Sequence, residues 1–137
     1  MVAGGISSKS LSDLIFLEGP ESEFSYVQIL LYYKDNFEKF KGKGYFEQDG
    51  ATPHTKAANK ALIVKLFGQK AFLQNPHNSP DIAYPIETLW GYLKPRIKKR
   101  DPKSLKELKE IALEEWRLIP EERIKNCRLN WIRRLKK

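Results

Sequence analysis

Tyr45-Phe-Glu-Gln-Asp49-Gly-Ala-Thr-Pro-His54-Thr55 reads as a short strand that ends in a carboxylate, leaves through a glycine turn and enters a helix. Gly50 permits the sharp exit, because glycine adopts left-handed backbone without steric cost. Downstream, Asn78-Ser-Pro-Asp81-Ile-Ala-Tyr-Pro85-Ile-Glu87-Thr-Leu-Trp90 is a second acidic stretch that opens a helix. Pro85 falls near the first helical position, where its missing N–H removes no hydrogen bond. Glu87 follows Asp49 by 38 positions, enough for a strand, a helix, another strand and a loop. The two carboxylates are therefore expected to meet at one end of a sheet.

Working outward, Val2 to Ser7 and Leu11 to Glu18 are short apolar runs separated by Ser7-Ser-Lys-Ser10 and closed by Gly19-Pro20, the pattern of a β-hairpin. Ser22 to Lys41 places Phe24, Tyr26, Ile29, Leu30, Tyr33, Phe37 and Phe40 at helical spacing, which predicts a core helix. Thr55 is the expected N-cap of a helix over 56 to 67, with Ala58, Leu62, Ile63 and Leu66 facing inward. Ala71 to Gln74 reads as a further strand. The helix from Pro85 carries Ile86, Leu89, Trp90, Leu93 and Ile97 on one stripe, and Pro95 predicts a kink or an end within it. Ser104-Leu-Lys-Glu107 matches a capping box, opening a helix expected to bury Leu105, Leu108, Ala112 and Trp116. A last helix after Pro120 aligns Ile124, Trp131, Ile132 and Leu135.

The chain of 137 residues has a formal net charge of +8, and its distribution says more than its sum. Residues 94 to 137 hold 16 Lys and Arg against 7 Asp and Glu, so the preceding residues are close to neutral. A basic C-terminal part points to a polyanionic partner. With Cys127 the single cysteine, an internal disulfide and a cysteine-rich zinc site are both excluded. No apolar run approaches the roughly 18 residues of a membrane span, and no leader pattern opens the chain, so a soluble intracellular protein is expected.

The two acidic stretches resemble, in the right order, the second and third acidic motifs of Tc/mariner-type transposases, members of the DDE superfamily of endonucleases. Met1-Val-Ala-Gly-Gly-Ile-Ser7 is similar to the second strand of that family's catalytic domain. The interval between Asp81 and Glu87 holds five residues, one more than in the common family form Ser-Pro-Asp-Leu-Asn-Pro-Ile-Glu. The resemblance implies an α/β, RNase H-like mixed sheet with flanking helices. It would be truncated at the N-terminus, with residues 1–100 as the partial catalytic domain and 101–137 as a basic helical extension of it.

It further implies Asp49 and Glu87 as catalytic metal ligands for Mg²⁺ or Mn²⁺, since hard cations take carboxylate oxygens and a metal pair serves phosphoryl transfer. The family's first Asp has no counterpart here, so a partial transposase with little strand cleavage of its own is expected. The absence of the family's first strand, which carries that Asp, also leaves two sheet edges unpaired. His54 is a candidate phosphate contact, and Lys94, Arg96, Lys98, Lys99 and Arg100 could follow a DNA backbone without reading bases. The alternative is a transposase-derived module that binds nucleic acid or oligomerises without catalysis. DNA, a second copy or a complementing transposase fragment are the expected partners, in the nucleus of a eukaryote or otherwise in the cytoplasm.

Overall fold

A computed structural model of the chain describes residues 1–7, 10–20, 22–37, 46–69, 72–74 and 85–136. The described residues form β1 (Val2–Ala3), β2 (Ile15–Phe16), α1 (Glu23–Phe37), β3 (Phe46–Gln48), α2 (Thr52–Thr55), α3 (Ala57–Phe67), β4 (Phe72–Gln74), α4 (Pro85–Lys99), α5 (Leu105–Arg117) and α6 (Glu121–Leu135). They divide into two compact units, Met1 with Leu17–Ser79, and Val2–Phe16 with Pro80–Lys137.

This corrects the expected RNase H-like mixed sheet. Among the described residues the architecture is mainly helical, and the strands form two separate two-stranded sheets, β1 with β2 and β3 with β4. The physical reason lies in what each strand pair packs on. β1 and β2 close on each other as an antiparallel hairpin, with Val2 opposite Phe16 and Ala3 opposite Ile15. A further bridge joins Ile6 to Leu11, and Ser7 N–H reaches Ser10 O at 2.8 Å, as the hairpin reading expected. The apolar side of this hairpin, through Leu14, Ile6, Leu11 and Phe16, belongs to a core built with α4, α5 and α6. β3 and β4 pair in parallel, Phe46 opposite Phe72, and belong to the other unit. Each pair thus serves a different helical layer.

In the first unit Tyr26 and Leu30 of α1 meet Ile63 of α3, and Leu30 and Ile63 are fully buried. Phe46 stacks on Phe67, ring centroids 4.6 Å apart. The α1 stripe runs narrower than its spacing suggests, since Phe24 is 73% exposed. Thr55 is not the cap of α3: it ends α2, where its hydroxyl donates to Thr52 O, and Lys56 holds the cap position. Ala58 is exposed, and Asn59 takes the inward place because its amide donates to Pro53 O at 2.7 Å. Gly68 ends α3 at φ 89°, its N–H returning to Val64 O, a conformation that glycine adopts freely.

In the second unit Leu89 and Leu93 of α4 are buried against Ala112 and Trp116 of α5 and Ile124 and Cys127 of α6. The helix continues through Pro95 to Lys99. Ser104 caps α5 by accepting from Glu107 N–H at 3.1 Å. The return bond of the capping box shifts by one residue, Glu107 Oε2 accepting from Lys103 N–H. Leu105 and Leu108 stay exposed, and the buried set on α5 is Ile111, Ala112, Glu115 and Trp116. Gly4 lies where an added Cβ would sit 3.0 Å from Leu14 and from Trp90 and 3.1 Å from Trp116. Among the described residues no helix is long and apolar enough to cross a membrane.

Candidate nucleic-acid interface

The two acidic positions fall in different units, Asp49 in the first and Glu87 in the second. Asp49 follows β3 and is exposed, yet its carboxylate is engaged locally. Its Oδ1 accepts from Ala51 N–H at 3.0 Å and lies 2.5 Å from His54 Nδ1. Hydrogen bonding from His54 holds the Asp49 carboxyl below its usual range, ahead of the opposing effect of partial burial. An ionised carboxylate only accepts, so the proton of this bond sits on Nδ1.

His54 is held on its other sides too. Its ring lies 4.3 Å from that of Tyr26, and Gln48 Nε2 donates to its carbonyl at 2.9 Å. Its side chain is 15% exposed, so this candidate phosphate contact is a member of the loop's internal bonding. Asp81 lies outside the described residues. Glu87 is exposed in the first turn of α4, where the helix dipole favours a negative charge.

Among the described residues no three His, Cys, Asp or Glu side chains gather into a group that could hold a metal ion. The Mg²⁺ or Mn²⁺ pair implied by the transposase resemblance has no ligand set among them. Asp49 Oδ1 is already shared between two donors, which leaves one oxygen of that carboxylate for any further partner.

The basic cluster of α4 separates into two kinds of charge. With Leu89, Leu93 and Ile97 directed into the core, a period of 3.6 residues turns Lys94 and Lys98 to the outward face beside Gly91, with Lys99 further round. All three are exposed and have no ion-pair partner among the described residues. Arg96 and Arg100 lie nearer the α5 side. Arg96 Nε donates to Glu115 Oε2 at 2.6 Å. Arg100 Nη2 is 2.7 Å from Glu114 Oε2, and its Nη1 donates to Glu115 Oε1 at 3.4 Å.

These pairs shift the groups in the expected directions. The hydrogen bond from Arg96 pulls the Glu115 carboxyl below its usual range, and Glu115 raises Arg96 in return. Arg100 is raised first by its bond to Glu114. Tyr92 adds a platform between two cations, with the Arg123 guanidinium 4.0 Å from its ring centroid and Arg96 5.1 Å away. Such contacts are attractive because the ring face is electron-rich.

Glu115 is the residue that reading the sequence missed. The available signal was its place beside Trp116 and four residues after Ile111, an acid at a core position in a chain whose preceding helix is rich in basic residues. The chain matches no protein-family model and no curated protein.

Proposed function

We propose that this chain is a relative of Tc/mariner-type transposases that holds nucleic acid by its phosphate backbone, through α4, without reading base sequence. One observation carries the reading: Lys94, Lys98 and Lys99 are exposed on α4 with no ion-pair partner among the described residues. Lys94 and Lys98 are four apart, so without an anion they repel each other. A phosphate relieves that repulsion. Each ammonium that meets a phosphate releases a condensed counterion, which is a sequence-independent contribution to binding. The relation to transposases is supported by the two acidic stretches, in order, that resemble family motifs.

The test is fluorescence anisotropy of a labelled duplex of arbitrary sequence, titrated with the chain at several salt concentrations. Affinity is expected to fall steeply with salt, and the combined Lys94→Gln, Lys98→Gln and Lys99→Gln variant to flatten the log–log slope by roughly 2 to 3. Changing the duplex sequence is expected to leave affinity unchanged. An affinity that salt and the triple variant leave alone would sink the reading.

A further inference from the structure

We propose that Glu114 is a built-in competitor for phosphate, masking Arg100 so that α4 engages nucleic acid with fewer cations than its sequence carries. The inference rests on α4 being the phosphate-binding helix. Arg96 and Arg100 differ in how they are held. The partner of Arg96 is Glu115, whose side chain is only 8% exposed, so Arg96 serves a buried carboxylate and is not available to a ligand. Releasing it would leave that buried carboxylate with only the longer, 3.4 Å contact to Arg100 as its counter-charge.

Arg100 stands at the end of α4, 38% exposed, and the carboxylate closest to it belongs to Glu114, which is 58% exposed. Its contact with Glu115 is the longer one, 3.4 Å against 2.7 Å. Glu114 Oε2 therefore occupies a guanidinium edge that would otherwise accept a phosphate oxygen in the same charge-assisted way. An exposed pair of this kind is weak and screened by salt. It can be given up to a polyanion, and while it lasts it withholds one contact.

The experiment is the same anisotropy titration on the full chain, with Glu114→Gln, Glu110→Gln, Arg100→Gln and the Glu114→Gln/Arg100→Gln double variant, each first confirmed folded by circular dichroism. Glu110 is the control: it is exposed on the same helix with no ion-pair partner among the described residues, so its loss changes the general field alone. Glu114→Gln is expected to tighten binding roughly two- to fivefold at low salt and to steepen the slope by about 0.9, the signature of one more phosphate contact. Glu110→Gln is expected to leave the slope unchanged. The double variant is expected to return to the wild-type level, and Arg100→Gln alone to change little.

Equal behaviour of the Glu114 and Glu110 variants overturns the inference while leaving the α4 reading intact. So does an Arg100→Gln loss that is as large with Glu114 present as without it. A wild-type chain that fails to bind the duplex overturns both.

Discussion

The indole N–H of Trp116 donates to the carbonyl of Ser12 at 2.7 Å, joining α5 to a hairpin 104 positions earlier in the chain. The same ring stacks on Trp90, centroids 5.3 Å apart, so one side chain ties hairpin, α4 and α5 together. Trp116→Phe keeps much of the apolar contact and removes the donor, leaving the Ser12 carbonyl without that bond. The second unit is expected to lose about 1–3 kcal/mol, read as a lower urea midpoint in near-ultraviolet circular dichroism.

Gly4 makes a complementary prediction. A methyl group there would meet Leu14, Trp90 and Trp116 at about the limit of contact. Two of the three are large rings already stacked on each other, so they have little room to yield. Gly4→Ala is expected to cost about 1–3 kcal/mol by overpacking, and Gly4→Val more, measured by the same urea midpoint.

In the first unit Ile63 is fully buried against Tyr26 and Leu30. Ile63→Ala is expected to destabilise that unit by about 2–5 kcal/mol, since both the transferred methyl groups and the cavity count. All three tryptophans lie outside this unit, so their fluorescence is expected to stay unchanged in the variant at midpoint conditions where backbone amides of α1 and α3 lose protection from exchange.

The Asp49 and His54 pair predicts a pH dependence of definite sign. The carboxyl is lowered from its ordinary 3.8, chiefly by the His54 hydrogen bond. A depressed acid stabilises the folded state above its unfolded value and loses that contribution as pH falls through its folded value. The window is therefore acidic, below about 3.8, and the effect is small because the Asp49 side chain is 56% exposed and screened. Nuclear magnetic resonance titration of the Asp49 carboxyl is expected to give a midpoint below the ordinary value, moving up towards it in His54→Ala. An unmoved midpoint would show that His54 is not the cause.

Local signals in the sequence located most of the elements. Gly19-Pro20, Pro85 and the Ser104 to Glu107 pairing mark boundaries that depend on residues within a few positions of each other, and the hairpin, α4 and α5 begin or end where they indicate. The partnership of β1 with β2 was legible from the turn between them, but not that β3 and β4 would pair apart from that hairpin instead of joining it in one sheet. The site divided similarly. The exposure of Lys94 and Lys98 follows from the period of α4, whereas the capture of Arg96 by Glu115 depends on how α5 lies across it. A single stripe assigned through Leu105 and Leu108 missed the acid because the helix turns its later half, from Ile111, towards the core.

The division of the chain into a continuous and a discontinuous unit has a consequence for synthesis. Residues 17–79 are contiguous, so α1, β3, α2, α3 and β4 can pack on one another as soon as they leave the ribosome. The other unit needs two distant stretches of the chain, because its hairpin, residues 2–16, packs on helices that begin at Pro85. Leu14 and the Ser12 carbonyl wait until Leu89 and Trp116 have been made. Closure across so long a separation is slow, so the nascent hairpin stays exposed to wrong partners in the meantime.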